Sequence, residues 1–167
     1  MSRGRIPVGG ALLTATIVAA AAVAVAAWVR RNYVAITVDG PSMIPALRPG
    51  EKVLIRRGAE GVRRGRIVVV TRPDADAGWT QNPPAGRCLD AADWYVKRVV
   101  AVAGDPYPHV MKRSGVVPPG HVVVLGDHPS SEDSKRHGPC PLDQILGVDA
   151  RRLEPEDLYA AAYSAEA

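Results

Sequence analysis

Phenylalanine is absent from this 167-residue chain, and cysteine occurs only twice. With few aromatics of any kind, fifteen prolines and sixteen glycines, the composition argues against a helical bundle. Its Val-rich runs point instead to short strands joined by turns. The two cysteines, Cys88 and Cys140, form no CxxC pair and have no histidine pattern beside them, which argues against a structural zinc site. They are either two unrelated thiols or, in a domain outside the reducing cytoplasm, a disulfide. A bridge closing so long a loop would contribute about 4 kcal/mol in the chain-entropy view.

A strong charge of one sign is also missing. The formal net charge is +4, and the basic residues come in local groups: Arg3 with Arg5, Arg30 with Arg31, Arg56 with Arg57, and Arg63, Arg64 and Arg66 together. Apart from Trp28, Asn32 and Tyr33 beside Arg30 and Arg31, no aromatic or amide side chains lie among them, so a nucleic-acid surface is not expected. Plain solvation accounts for such groups; as a functional partner, anionic lipid headgroups suit them better.

Only one long hydrophobic run exists. It spans residues 11–29, without charge or helix breaker, and is flanked by the Arg3/Arg5 and Arg30/Arg31 groups. At about 1.5 Å per residue, a helix of this length just crosses a hydrocarbon core of roughly 30 Å. Trp28 and Tyr33 fall where interfacial aromatics belong. Ala22-Val23-Ala24 and Ala24-Val25-Ala26 would pass as cleavage sites of a secretory signal. The run outlasts a usual signal core, however, and ends in Trp and Arg, so an uncleaved single-pass anchor is expected. The arginines nearly balance the positive-inside count, and the N-terminal amine tips it toward N-inside.

Beyond the anchor, strands are expected over 32–38, 51–57, 66–71, 94–102, 121–125 and, briefly, 145–148. Residues 72–93 are rich in Pro, Gly, Asp and Asn and read as a long exposed loop. A short helix is expected over 155–162, opening on Pro155. The expected organisation is a basic segment over 1–10, the anchor over 11–29, a β-rich domain over 33–153 and a tail over 154–167.

Chemistry is expected where the first of these strands ends, in Val38-Asp39-Gly40-Pro41-Ser42-Met43-Ile44-Pro45. A serine between two prolines is more often a turn spacer than a nucleophile, and its hydroxyl needs a base to attack anything. A candidate base lies in Trp94-Tyr95-Val96-Lys97-Arg98-Val99-Val100. Strand alternation puts Lys97 on the face of Tyr95 and Val99, and Arg98 on that of Val96 and Val100, so one of the two cations is buried. A buried lysine loses proton affinity, and its neutral amine can act as a base. Taken alone, this run fits equally a snorkelling lysine or an ion pair at a strand end.

Taken together, these stretches resemble the type I signal peptidases, membrane-bound serine/lysine endopeptidases. Gly40-x-Ser42-Met43-x-Pro45 resembles the nucleophile motif, and Arg64-Gly65-Arg66-Ile67-Val68-Val69-Val70 the strand motif that follows it. Lys97-Arg98-Val99-Val100 closed by Gly104-Asp105 resembles the general-base motif, and Gly126-Asp127 with Ser131-Glu132-Asp133-Ser134 the last. Four motifs in order behind an anchor make a specific signal. The resemblance implies a mainly β fold, an all-β core of antiparallel sheets on a single N-terminal transmembrane helix. It implies Ser42 as nucleophile, Lys97 as general base and Ser131 as the residue that orients the lysine. Arg98 paired with Asp127, and Asp133 with a nearby cation, would be scaffold, and the Ser42 N–H an oxyanion donor. Met43 and Pro45 would border shallow apolar pockets for small substrate residues. No metal or organic cofactor is implied. The implied partners are signal peptides of secretory precursors and a lipid bilayer, with no nucleic acid, and a monomer in the cell membrane with its catalytic domain on the extracytoplasmic side is expected.

Several positions depart from the family pattern. Ala46 stands where a threonine is usual, and Glu51 and Arg66 where aspartates are usual. Gly40 occupies a position where some members carry a hydroxyl that helps bind the oxyanion. His128-Pro129 replaces Asn-Arg, and the loop that follows is one residue short, which makes Ser130 a substitute for Ser131. The compact length is closer to accessory, conjugation-system and organellar members. Other readings fit less well. The four histidines lack a nucleophile elbow for a Ser-His-Asp hydrolase, and His128, Asp133 and His137 read as a solvated loop before a metal site. A self-cleaving repressor would carry a DNA-binding domain where this chain has its hydrophobic run. A catalytically idle scaffold that binds signal peptides, and a processing peptidase dedicated to one substrate, remain the alternatives.

Overall fold

Seven strands, ordered β1-β2-β7-β3-β4-β5-β6, form a single sheet in the computed structural model. It describes the backbone of residues 8–79 and 94–153, with side chains from 14 to 79 and from 94 to 149. Cys88, the helix expected over 155–162 and the tail from 154 lie outside the described residues.

Helix α1, Val8–Asn32, comes first. It overruns the expected span because Arg30, Arg31 and Asn32 continue the helix, Asn32 Nδ2 donating to Trp28 O at 2.7 Å. Cations in the last turn also suit the negative end of the helix dipole. Residues Thr14–Asn32 are long and apolar enough to cross a membrane, and Ile17, Val18, Val23 and Val25 are all exposed. The chain divides into two compact units, Met1–Tyr33 and Val34–Ala167.

The strands are β1 (Tyr33–Thr37), β2 (Lys52–Arg57), β3 (Ile67–Thr71), β4 (Trp94–Val102), β5 (His121–Leu125), β6 (Cys140–Pro141) and β7 (Ile145–Leu153). The pairs β2–β7, β7–β3, β3–β4, β4–β5 and β5–β6 are all antiparallel. The run Ile67 to Val70 is buried throughout because both faces of the sheet are covered. Ile67 and Val69 pack on one side with Ile36, Val53, Ile55 and Val96, while Val68 and Val70 pack on the other with Val99, Val122, Val124 and Val148. Each such side chain contributes roughly 1.5–3 kcal/mol by leaving water, and β-branched residues fit this two-sided surface.

The last strand is the main departure from expectation. It runs nine residues and lies mid-sheet, between β2 and β3. Asp149 does not end it, because its carboxylate turns to Arg66 Nε at 2.8 Å and to the Ile67 N–H at 2.9 Å. Arg66 Nη2 also donates to the Asp149 carbonyl. Arg66, one of the departures from the family pattern, thus finds its acid on β7. Helix α2, Ser134–His137, is a single turn inside the polar loop after β5, and Asp133 caps it.

Candidate functional site

Ser42 sits in a loop whose two ends are tied together. Val38 N donates to Glu51 O and Gly50 N to Val38 O, both at 2.9 Å. Inside the loop, Leu47 N donates to Met43 O at 2.9 Å, and the side chains of Met43 and Leu47 are fully buried with Ile55 and Val53. These two side chains pin a half-buried Ser42 at the surface. Met43, expected beside a substrate pocket, is 0% exposed, so its side chain has no surface to offer a substrate. Its place in the core comes from the depth of the loop, which sequence spacing does not encode. Pro45, the other residue expected there, is exposed.

Lys97 projects from the middle of β4 and is only 2% exposed. The alternation holds: Tyr95 and Val99 belong to one core layer, and Val96 to the opposite one. Lys97 Nζ donates to Ser131 Oγ at 2.7 Å and lies 4.9 Å from the centre of the Tyr95 ring. Burial pushes the proton affinity of Lys97 below the ordinary lysine value. The nearby charge of Asp133 works against that fall, Lys135 adds to it, and Glu132 opposes it. A lowered affinity is what a lysine needs in order to offer a neutral amine near physiological pH.

Ser131 arrives on the loop after β5, while Ser130 Oγ faces His128 Nδ1 at 2.7 Å. The loop is bound to Ser42 directly, His128 N donating to Ser42 O at 3.0 Å. Gly126 lies between the two serines. A Cβ there would overlap Ser131 and come within 2.6 Å of Ser42 O, so only glycine lets the loop approach this closely. Gly126 N donates in turn to Asp133 Oδ2 at 2.9 Å.

The ion pairs lie one layer out. Arg98 forks onto Asp127 through Nε and Nη2, at 2.8 and 2.7 Å, and its Nη1 reaches Gly65 O at 2.9 Å. The Asp127 carboxylate raises the already high proton affinity of Arg98. Such a bidentate pair fixes orientation as well as charge. Asp133, with a fully buried carboxylate, meets Lys135 Nζ at 3.2 Å and caps α2 through the Lys135 N–H at 3.0 Å.

Two features bear on acyl chemistry. Among the described residues, the Ser42 N–H donates to no other group. Gly40 has a φ of +74°, and a Cβ added to it would meet nothing within 4 Å. Space would admit a hydroxyl residue there; the left-handed backbone opposes it. Among the described residues, no hydrogen bond joins Ser42 Oγ to Lys97 Nζ. Catalytic hydrogen bonds are often long without substrate and tighten when it binds.

Sequence reasoning did not find the roles of Tyr95, Glu132 and His137, which form a hydrogen-bonded chain beside Lys97. The signal available was an acid directly after Ser131. Cys140 is a free, buried thiol, and burial holds it well above the usual thiol range; Cys88, the other cysteine of the possible disulfide, lies outside the described residues. Among the described residues, no three His, Cys, Asp or Glu side chains gather as a metal site. His137 turns to Glu132, and Asp133 to Lys135 and Gly126 N.

Residues 11–107 and 106–153 match the family model described as signal peptidase, peptidase S26. Over 128 residues the chain is 36% identical to the mitochondrial ATP-independent inner membrane protease subunit 1b of Arabidopsis thaliana, an alignment covering 70% of this chain and 67% of that protein. It is 31% identical over 126 residues to the mitochondrial inner membrane protease subunit 1 of Xenopus tropicalis, covering 70% and 66%. Against signal peptidase IB of Staphylococcus aureus the identity is 27% over 163 residues, covering 71% and 76%. The chain thus spans about two thirds of the length of the two mitochondrial relatives.

Proposed function

The chain belongs to the signal peptidase family, peptidase S26, and on that footing we propose that it is a membrane-anchored serine endopeptidase that removes N-terminal signal peptides from exported precursors. The observation that carries this reading is the buried lysine of β4, its Nζ held 2.7 Å from Ser131 Oγ on a loop hydrogen-bonded to Ser42.

In the proposed reaction, the neutral Lys97 amine takes the Ser42 proton as Oγ attacks the scissile carbonyl. The resulting oxyanion would take a hydrogen bond from the Ser42 N–H. The Lys97 ammonium then gives its proton to the departing amine, leaving an acyl group on Ser42 Oγ. The same lysine draws a proton from the water that releases it. Ser131 accepts from Lys97 Nζ and keeps it directed at the loop, while the Arg98–Asp127 pair ties β4 to the loop after β5 and the Asp133–Lys135 pair braces that loop at the start of α2. No step calls for a metal or organic cofactor.

We place α1 in the cell membrane as a single span, with the peptidase domain on the extracytoplasmic side where a signal peptide emerges. Protease added outside sealed vesicles should then digest the domain; protection of the domain would overturn that orientation. A monomer is expected. Two relatives are named as subunits, so light scattering of the detergent-solubilised chain is the check, and a larger stoichiometry would overturn it.

The test is cleavage of a preprotein by the solubilised full chain, with wild type set against Ser42→Ala and Lys97→Ala. Wild type should cut after a small residue, and each variant should lose at least about 10³-fold in kcat/KM. A folded wild type that cuts no precursor would favour the idle signal-peptide-binding scaffold, and substantial activity in Lys97→Ala would remove Lys97 as the base.

A further inference from the structure

Ser131 is followed directly by an acid, and the same loop that brings the serine to Lys97 brings Glu132 beside it. Glu132 Oε2 accepts from the Tyr95 hydroxyl at 3.0 Å. Its other oxygen lies 3.1 Å from His137 Nε2, at the end of α2. The His137 side chain is 2% exposed and stands edge-on to Trp79 at 5.9 Å, so the imidazole has little freedom to turn away. The Tyr95 ring, held by its hydroxyl, is the surface against which Lys97 Nζ lies.

We propose that Glu132 is a positioning residue of the peptidase site. Clamped between Tyr95 and His137, it sets how firmly Lys97 holds its proton and thus the pH at which the base becomes available. The proposal rests on the Ser42–Lys97 reading and extends it to a residue that acts through Tyr95 and through its own charge.

Two effects run in the same direction. An aromatic face attracts an ammonium, and a phenol that donates to a carboxylate gains electron density. The carboxylate itself favours a charged lysine nearby. The hydrogen bonds from His137 and then from Tyr95 hold the Glu132 carboxyl below its ordinary range, so it stays ionised wherever the enzyme would work. The other charged groups around this chain are Asp133 and Lys135 near Lys97, Arg72 at 5.9 Å from the Tyr95 ring, Arg136 at 3.5 Å from Glu132 and Asp74 near His137. Arg113 and His121 line the same recess as His137. These groups are common to wild type and both variants, so a difference in the opposite direction between Glu132→Gln and His137→Phe reports on the clamp.

The experiment is the pH profile of kcat/KM for the full chain in detergent, comparing wild type with Glu132→Gln and His137→Phe. Glutamine keeps the size and one accepting oxygen, turns the other position into a donor and removes the charge, so the acid limb should move to lower pH by roughly half a unit. Phenylalanine keeps the contact with Trp79 but leaves the carboxylate with one partner fewer, so the limb should move to higher pH. General loosening of the fold would lower both profiles without moving them apart. Acid limbs that stay at the wild-type position, or that move together, would overturn the proposal. The ¹³Cε resonance of Lys97, assigned by its loss in Lys97→Ala, titrates without turnover and should shift in the same two directions. If wild type cleaves nothing, the peptidase reading fails on its own, and an unmoved resonance in Glu132→Gln still decides against the clamp.

Discussion

A lysine ammonium held out of water carries a penalty that a surface lysine avoids, and at Lys97 this penalty ties function to stability. Its proton affinity is lowered in the folded chain, so the unfolded chain binds the proton more tightly. Below the folded pKa both states carry the charge, and the native state bears the full cost. As pH rises from the folded pKa to the ordinary lysine value, the native state sheds its proton first and the cost is relieved. Lys97→Met should therefore be inactive yet more stable than wild type at neutral pH, by about 1–3 kcal/mol, and its advantage should shrink toward pH 10. Chemical denaturation of both chains from pH 6 to pH 10 reads this directly. A stability difference that is flat with pH would mean that burial does not govern the titration of Lys97.

At the scale of elements, the loop after β5 is held by one carboxylate. Asp133 accepts from Gly126 N at the start of the loop and from Lys135 N at the start of α2, and it meets the Lys135 ammonium. Asp133→Ala removes the cap and leaves buried donors unpaired, so a loss of about 2–4 kcal/mol is expected in urea unfolding. A loss below about 0.5 kcal/mol would show that the loop is held by something else. This loop also marks where sequence reasoning stopped. Alternation placed Lys97 with Tyr95 and Val99 because a period of two survives any packing. It could not choose between Ser130 and Ser131, since a loop of this kind has no period and its path is set by the Ser42–His128 and Gly126–Asp133 hydrogen bonds. The single turn of α2 is too short to show helical spacing. The central place of β7 was hidden for a different reason: Asp149 looks like a strand terminator until Arg66, distant in sequence, is found beside it. Met43 shows the opposite limit, a residue whose motif was legible while its burial was not.

At the scale of the whole molecule, one unit carries the sheet and the other a helix with large apolar side chains exposed. Those exposed residues stabilise nothing in water and fit a lipid environment. The sheet, covered on both faces by its own side chains, has no such need. A chain beginning at Asn32 retains every strand and should fold as a soluble β protein with a single cooperative melt. It should cleave a short soluble peptide within roughly tenfold of the full chain, because Ser42, Lys97 and Ser131 all lie in that unit. Processing of a precursor embedded in vesicles should fall by about 10²-fold or more. Without the helix, enzyme and substrate no longer share a membrane and the effective concentration between them is lost. Comparing the two rates separates anchoring from chemistry. Equal vesicle processing by the short and full chains would mean that the helix does no more than deliver the protein, and loss of peptide cleavage with the fold intact would mean that residues before Asn32 help to build the site itself.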